Sequence, residues 1–388
     1  MRTLSGFDFR GKVVLLRADL NSDVRGGRVV ESERIRASVG TIKELKGKGA
    51  RVVILAHQGR KGKKDFVSLK SHARFLNRYV KVKFVDDVCG AKAVGAVEGL
   101  KNGDAVLLEN VRGVADEFAP EKGKGNRLYK LVEVADVFVN DAFSVCHRKQ
   151  ASVVLFPRYL KSFCGRLLEK ELEALKKIKI KNCLYVLGGA KPADNIKLLS
   201  AGHRSQVTGR RKILTCGLFG QSCLVAGGKK LGAQDKYLRR VVGGFDSVVS
   251  KLRRKLKNVE VPVDFAVKVW GKRVERGLDE FPCGDEIFDI GAGTIDRYVS
   301  VIKKAKCVFV KGPAGAAGDV KFSKGTVTLL KAVSNVKGFS LVGGGHLSDA
   351  IKKYKLKGFS HVSLSGGALV AYLAGEKLPG LVALGKNR

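Results

Sequence analysis

Short apolar runs recur along the chain, and each stops abruptly at polar or glycine residues. VVLLRADLN breaks at Asp19 and Asn21, VVILAHQGR at His57 and Arg60, AVLLENVR at Arg112, and VFVNDAFSVCHR at Arg148. Further on, CLYVLGGAK, CVFVKGPAG and FSLVGGGH end on glycines, on Lys191 or on His346. The runs are continuous rather than alternating, as in strands that helices cover on both faces. Between them lie stretches of helical period. Ile35, Val39, Ile42 and Leu45 predict a helix from about Glu33 to Leu45, stopped by Gly47 and Gly49. SLKSHARFLNRYV reads as a second helix capped by Ser68, with His72 on its surface. The strongest helical segment is GRLLEKELEALKKI, residues 165–178, whose stripe is Leu168, Leu172, Leu175 and Ile178. It separates the two halves. LSAGHRSQVTGRR, residues 199–211, reads as an exposed basic loop. Strands that alternate with helices predict an α/β protein built from βα units around parallel sheets.

In open parallel sheets, ligands bind just beyond the carboxyl ends of the strands. In the first half those ends are cationic. In the second half they are glycine-rich. A small polyanion therefore suits one side and a nucleotide the other, since arginine forks and backbone N–H groups both hold phosphate. The chain has no P-loop signature, no GxSxG elbow, no GxGxxG after a strand, and no zinc-like histidine spacing. What remains is direct phosphoryl transfer between bound anions, which needs positioning and charge neutralisation more than covalent chemistry.

Composition adjusts this reading in three ways. The 388 residues suit two or three domains, and 45% hydrophobic content is ample for their cores. The excess of 74 Lys and Arg over 36 Asp and Glu gives a net charge of +38, which points to anionic partners. Eight cysteines without CxxC spacing read as reduced, buried thiols. MRTLSGFDFR lacks the apolar core of a secretory signal, and no apolar run approaches the ~20 residues of a membrane span. A cytoplasmic protein is expected.

LLRADLN, AHQGR, LLENVR, VNDAFSVCHR, LGGAK, DIGAGT, KGPAG, KGT, LVGGGH and HVSLSGGA occur in that order. Their succession resembles the phosphoglycerate kinase family across essentially the whole chain. AHQGR, SLKSHARFL, CGRLLEKEL and GGGH are more similar to its archaeal branch. The resemblance implies two Rossmann-like parallel-sheet domains joined by an interdomain helix, with a cleft and a hinge. Residues 1–164 would bind 3-phosphoglycerate or 1,3-bisphosphoglycerate, and residues 165–180 would form the helix. Residues 181–365 would bind ADP or ATP with Mg2+, and residues 366–388 would pack back on the first domain. The implied activity is reversible phosphoryl transfer from 1,3-bisphosphoglycerate to ADP, a step of glycolysis and gluconeogenesis, by a monomeric enzyme.

The resemblance also assigns residues. Arg34 and Lys191 would be catalytic. Asp19, Leu20, Asn21, Arg34, His57, Gln58, Gly59, Arg60, Arg112 and Arg148 would bind the glycerate substrate. Lys191, Gly217, Gly312, Gly318, Gly343, Gly344, Gly345 and His346 would line the nucleotide site; the metal ligands stay unassigned. Several positions depart from the family's pattern. Asn195 stands where many relatives carry a second lysine. Gly318 replaces a carboxylate that meets the nucleotide ribose, with Asp319 adjacent. His346 replaces an aspartate of bacterial and eukaryotic relatives that meets the metal, and Leu364 and Ser365 replace a usual Thr-Gly. These departures and the charge leave an alternative, a degenerate kinase scaffold that binds RNA or another polyanion.

Overall fold

The computed structural model of the chain describes residues 1–178, 183–201 and 212–386. They divide into two compact units. The first comprises Met1–Glu173 with Lys377–Arg388, and the second Ala174–Glu376.

The strands of the first unit are β1 (Val13–Arg17), the short hairpin β2 (Val24–Arg25) and β3 (Arg28–Val29), β4 (Arg51–Leu55), β5 (Lys83–Val85), β6 (Ala105–Leu108), β7 (Val137–Asn140) and β8 (Lys161–Cys164). Apart from the hairpin they form one parallel sheet in the order β5-β6-β4-β1-β7-β8. VVLLR of β1 is buried at every position, as expected for a central strand with both faces covered. The helix Glu33–Gly47 buries Ile35, Val39, Ile42 and Leu45, and they join one core with β1 and β4. Each such side chain contributes about 1.5–3 kcal/mol relative to staying exposed.

The second predicted helix is shorter than its sequence pattern, Lys70–Leu76. The Ser68 hydroxyl accepts from the Lys70 N–H at 3.2 Å. His72 is not a surface residue: it is fully buried, and its Nε2 lies 3.1 Å from Gln58 Oε1. The helix Arg166–Lys177 starts where the sequence places it. Asp141 Oδ1 accepts from the Leu167 and Leu168 N–H groups at 2.8 and 3.2 Å, which satisfies donors of its first turn.

In the second unit β9 (Leu184–Leu187), β10 (Ile213–Thr215) and β11 (Val259–Glu260) are followed by β12 (Asp264–Val269), β13 (Lys272–Gly277) and β14 (Ile287–Ile290), then β15 (Cys307–Lys311), β16 (Phe339–Gly343) and β17 (His361–Ser363). The parallel sheet runs β11-β10-β9-β15-β16-β17. Counted within the sheet, that is the doubly wound order 3-2-1-4-5-6. The sequence pattern did not predict the antiparallel sheet β13-β12-β14. Its hairpin turns at Trp270 and Gly271, both with positive φ, as a two-residue turn between twisted strands requires.

The helix Gly366–Leu373 packs on the helix Pro192–Ala201 and groups with the second unit. The expected C-terminal segment from residue 366 therefore starts grouping with the first unit only at Lys377. There the helix Pro379–Lys386 packs against Ala151–Val154, and the Gly380 N–H donates to the Cys146 carbonyl at 2.9 Å. Of the basic segment 199–211, residues 199–201 end the helix Pro192–Ala201, and the rest lies outside the described residues. Seven of the eight cysteines are buried.

Candidate active site

In the first unit the sequence-predicted residues cluster where the sheet order reverses. β1 is flanked by β4 on one side and β7 on the other, and the segments leaving these three strands and β6, the next strand beyond β4, carry most of the polar side chains. Asp19 follows β1 and is buried. Arg34, on the first turn of its helix, donates through Nη1 to Asp19 Oδ1 at 3.0 Å and Oδ2 at 2.7 Å. Asn21 Oδ1 accepts from the Gly59 N–H at 2.8 Å, which ties the loop after β1 to the loop after β4. Gly59 has φ +63°, and a Cβ there would lie 2.2 Å from the Asp65 carbonyl oxygen, so the turn admits glycine alone without rearrangement.

His57 is buried, and its pKa lies well below the usual histidine value. Burial is the main cause, followed by the charges of Arg17, Arg112, Arg34 and Arg148. The imidazole is therefore neutral at pH 7 and serves as a hydrogen-bonding group rather than a cation. The same four arginines converge around it. Arg112 donates through Nη1 to the Gly59 carbonyl, while its Nε is buried with no partner among the described residues. Burial and then its arginine neighbours push its pKa down to about 10. Arg148 is half-buried and is lowered by burial and by Arg60. Cations gathered this closely repel one another, and an anion among them relieves that repulsion.

Not every predicted residue joins the cluster. Arg60 is exposed at its rim. Leu20 is a core side chain whose carbonyl accepts from the Ser22 hydroxyl at 2.8 Å. Gln58 is fully buried and braces loops: it accepts from the Ser22 N–H and donates to the Ser22 and Asp65 carbonyls. Sequence reasoning missed Arg17, the last residue of β1. It is fully buried, with Nη2 3.0 Å from His57 Nδ1 and Nε donating to the Ser152 hydroxyl at 2.9 Å. The signal was a charge closing an apolar run, since arginine is almost never fully buried unless paired.

The second unit presents glycine loops at the corresponding sheet edge. Gly188, Gly189 and Gly217 donate their N–H groups to the carbonyls of Lys311, Pro313 and Ala314. Gly312 has φ +77°, and a Cβ there would lie 2.4 Å from the Gly188 carbonyl oxygen. Gly217 and Gly312 thus have packing reasons to be glycine. Lys191 is exposed and precedes the helix Pro192–Ala201. A Cβ at Gly343 would strike Leu369, whereas Gly344 and Gly345 have no atom within 4 Å of such a Cβ. Gly344, Gly345 and the exposed His346 form an open turn into the helix Gly345–Lys353, whose first N–H groups lack intrahelical partners. Gly318 is exposed and equally open, while Asp319 accepts from the Lys321 N–H at 2.9 Å. No group of three or more His, Cys, Asp or Glu residues could hold a metal ion among the described residues.

Comparison with known proteins agrees with this fold. The family model described as phosphoglycerate kinase matches residues 4–376. A phosphoglycerate kinase of Methanococcus maripaludis is 40% identical over 99% of this chain and 98% of its own length. One from Aeropyrum pernix is 38% identical over 99% of this chain and 95% of its own length. The crystal structure of phosphoglycerate kinase from Pyrococcus horikoshii superposes with a TM-score of 0.91 at 35% identity, covering 100% of this chain and 99% of that one. The Coxiella burnetii phosphoglycerate kinase structure gives 0.78 at 30% identity, with 99% and 98% covered. With two parallel-sheet units, a cationic cluster on one and glycine loops on the other, the chain belongs to the phosphoglycerate kinase family.

Proposed function

We propose that the chain catalyses reversible transfer of the acyl phosphate of 1,3-bisphosphoglycerate to ADP, giving 3-phosphoglycerate and ATP. The observation that carries this reading is the gathering of Arg17, Arg34, Arg112 and Arg148 around a neutral His57 at the reversal point of the first sheet. That charge suits a substrate with a phosphate and a carboxylate. Asp19 and Asn21 orient the glycerate, and Arg112 and Arg148 neutralise its anionic groups, with Arg60 at the rim. A β-phosphate oxygen of ADP attacks the acyl phosphorus, and the bond to the carboxyl oxygen breaks. The carboxylate departs with that electron pair, so no proton need be moved. Arg34, paired with Asp19 before substrate arrives, stabilises the phosphoryl group in flight.

Lys191 and the donors of the Gly344–Gly345 turn hold nucleotide phosphates. Magnesium is bound by one or two carboxylates plus substrate phosphates rather than by a closed protein cage. Asp194, in the first turn of the helix that follows Lys191, has a carboxylate open enough to solvent that it would hold such an ion together with the substrate phosphates. When bound, the ion neutralises charge on the phosphate oxygens. The decisive assay uses purified protein with 3-phosphoglycerate, ATP and magnesium, coupled to removal of the acyl phosphate and repeated over temperature. Turnover is expected. Its absence at every temperature would favour the degenerate scaffold.

The open position of Gly318 leads to a prediction about the nucleotide. Without a carboxylate there, the ribose lacks a charge-assisted hydrogen bond of about 1.5–3 kcal/mol. KM for ATP is expected to be high, with GTP used comparably. A Cβ at Gly318 meets nothing within 4 Å, so Gly318→Glu fits without strain and should tighten ADP binding by roughly tenfold. Titration calorimetry reads this directly, and weaker binding in the variant would show that another group already holds the ribose.

The net charge of +38 exceeds what one cationic cluster requires. Salt-sensitive, sequence-independent polyanion binding is expected, separate from catalysis. Lys61, Lys63 and Lys64 are exposed and are candidate contacts, while Arg204, Arg210 and Arg211 lie outside the described residues. The log of affinity should fall linearly with log salt, by ~0.7 per phosphate contacted on single strands. No gel shift with unrelated RNAs at low salt would reject this.

A further inference from the structure

Position 195 carries an asparagine where many relatives carry the second lysine of the nucleotide side, yet the structure holds a lysine there all the same. It comes from a different strand. Lys311 is the last residue of β15, directly paired with Leu187 of β9 and Gly343 of β16. Its backbone therefore sits between the two glycine loops, Gly188–Gly189 and Gly343–Gly345. β9 and β15 are also the strands between which the order 3-2-1-4-5-6 reverses, the place where such sheets take their ligands.

The side chain is only 10% exposed. Its Nζ donates to Asn195 Oδ1 at 2.8 Å, and Asn195 Nδ2 in turn donates to the Gly188 carbonyl at 3.0 Å. Asn195 is thereby fixed as a clamp, with its oxygen toward the lysine. Asp194 Oδ2 lies 3.8 Å from Nζ, beyond hydrogen-bond range, on a carboxylate 37% exposed. A buried ammonium with three donors has one neutral partner and one distant, solvated carboxylate. That is a poorly compensated charge for a merely structural residue. Replacing it with a methylene chain would be expected to cost little stability.

We propose that Lys311, clamped by Asn195, is the second phosphate-binding cation of the nucleotide site, doing from β15 what a lysine at position 195 does in many relatives. The inference rests on the reading of the second unit as the nucleotide side. Lys191 and Lys311 then meet the nucleotide phosphates from the two strands that flank the reversal point. The exchange keeps the charge and moves its anchor from a helix to a strand end.

The test compares wild type, Lys311→Met, Asn195→Lys and the exchange variant Lys311→Asn/Asn195→Lys. ADP affinity is measured by calorimetry, kcat and KM for both substrates by coupled assay, and folding by thermal melts. Lys311→Met is expected to melt no lower than wild type, bind ADP at least tenfold more weakly, and lose about a hundredfold in kcat/KM for ATP. Its KM for 3-phosphoglycerate should stay within about twofold. Asn195→Lys sets two ammonium groups side by side and is expected to destabilise. The exchange variant should recover ADP affinity to within about threefold of wild type. A structural role would lower the melting temperature and leave ADP affinity alone. Unchanged ADP affinity in Lys311→Met, or an exchange variant that folds but binds no better than Lys311→Met, would overturn the proposal. ADP binding is read without turnover, so an inactive wild type would count against the kinase reading and still decide the part of Lys311.

Discussion

Arg34→Ala is expected to cut kcat by about 10³-fold or more while 3-phosphoglycerate affinity falls less than threefold. An arginine that meets the transferring phosphoryl group in other such enzymes is worth ~10³–10⁵ in rate. Here the guanidinium is held in readiness. Its Nη1 spans both oxygens of Asp19, while a quarter of the side chain remains open to solvent. In the proposed function the glycerate is anchored by other residues, Arg112 and Arg148, so ground-state binding should survive. The loss should therefore appear in kcat, the signature of an interaction made only in the transition state. Removing Arg34 also leaves the buried Asp19 carboxylate without its cation, so a melt must accompany the kinetics. Arg34→Lys keeps the charge but not the planar fork, and should recover only part of the rate. A fall of less than tenfold in a folded Arg34→Ala protein would end its catalytic role.

The cationic cluster of the first unit was legible because it is local. Asp19, Asn21, His57, Arg112 and Arg148 each follow an apolar run within a few residues, and the sheet brings these strand ends together through β6, β4, β1 and β7. Parallel order followed from continuous apolar runs. What escaped the sequence depends on distant partners. His72 lies on an otherwise amphipathic helix, and only its buried contact with Gln58, 14 positions away, explains it. The part of Asn195 is invisible without Lys311, 116 positions further on. The sheet β13-β12-β14 was missed for another reason. Its strands carry Lys268, Lys272, Arg273, Glu275 and Arg276, so they do not read as apolar runs, and the Trp270–Gly271 turn was the available hint. Gly217 and Gly312 show the opposite ambiguity. Close backbone approach explains both, so glycine alone could not have told a phosphate loop from a tight junction.

Arg17→Met is expected to destabilise the first unit by about 3–5 kcal/mol, the usual cost of breaking a buried charge network on one side. The reason lies in a chain of contacts rather than in a direct ion pair. Arg17 Nε donates to the Ser152 hydroxyl, which donates to Glu117 Oε1 at 2.7 Å, and the Ser152 N–H donates to Glu117 Oε2 at 2.8 Å. Glu117 is fully buried, so burial raises its pKa while Arg17 pulls it back down. The value is raised even with Arg17 present, and losing Arg17 raises it further, so the native state of the variant binds a proton still more tightly than the unfolded chain does. The sign follows by linkage: stability of the variant should fall as pH rises above the ordinary glutamate range near 4.5 and return on acidification. Adding Glu117→Gln should recover much of the loss at neutral pH, because it removes the stranded charge while its amide oxygen can still accept from the Ser152 N–H and its NH2 can donate to the Ser152 hydroxyl oxygen that Arg17 has vacated. Urea denaturation of wild type, Arg17→Met and Arg17→Met/Glu117→Gln at about pH 7 and pH 5 measures all three effects. The same arginine orients His57 through Nη2, so Arg17→Met should also weaken 3-phosphoglycerate binding, and Glu117→Gln should not restore that loss. A single variant that loses less than about 1 kcal/mol would show that the Ser152–Glu117 arm does not depend on Arg17, and a double variant that regains substrate affinity together with stability would show that this arm, and not His57, is what Arg17 serves.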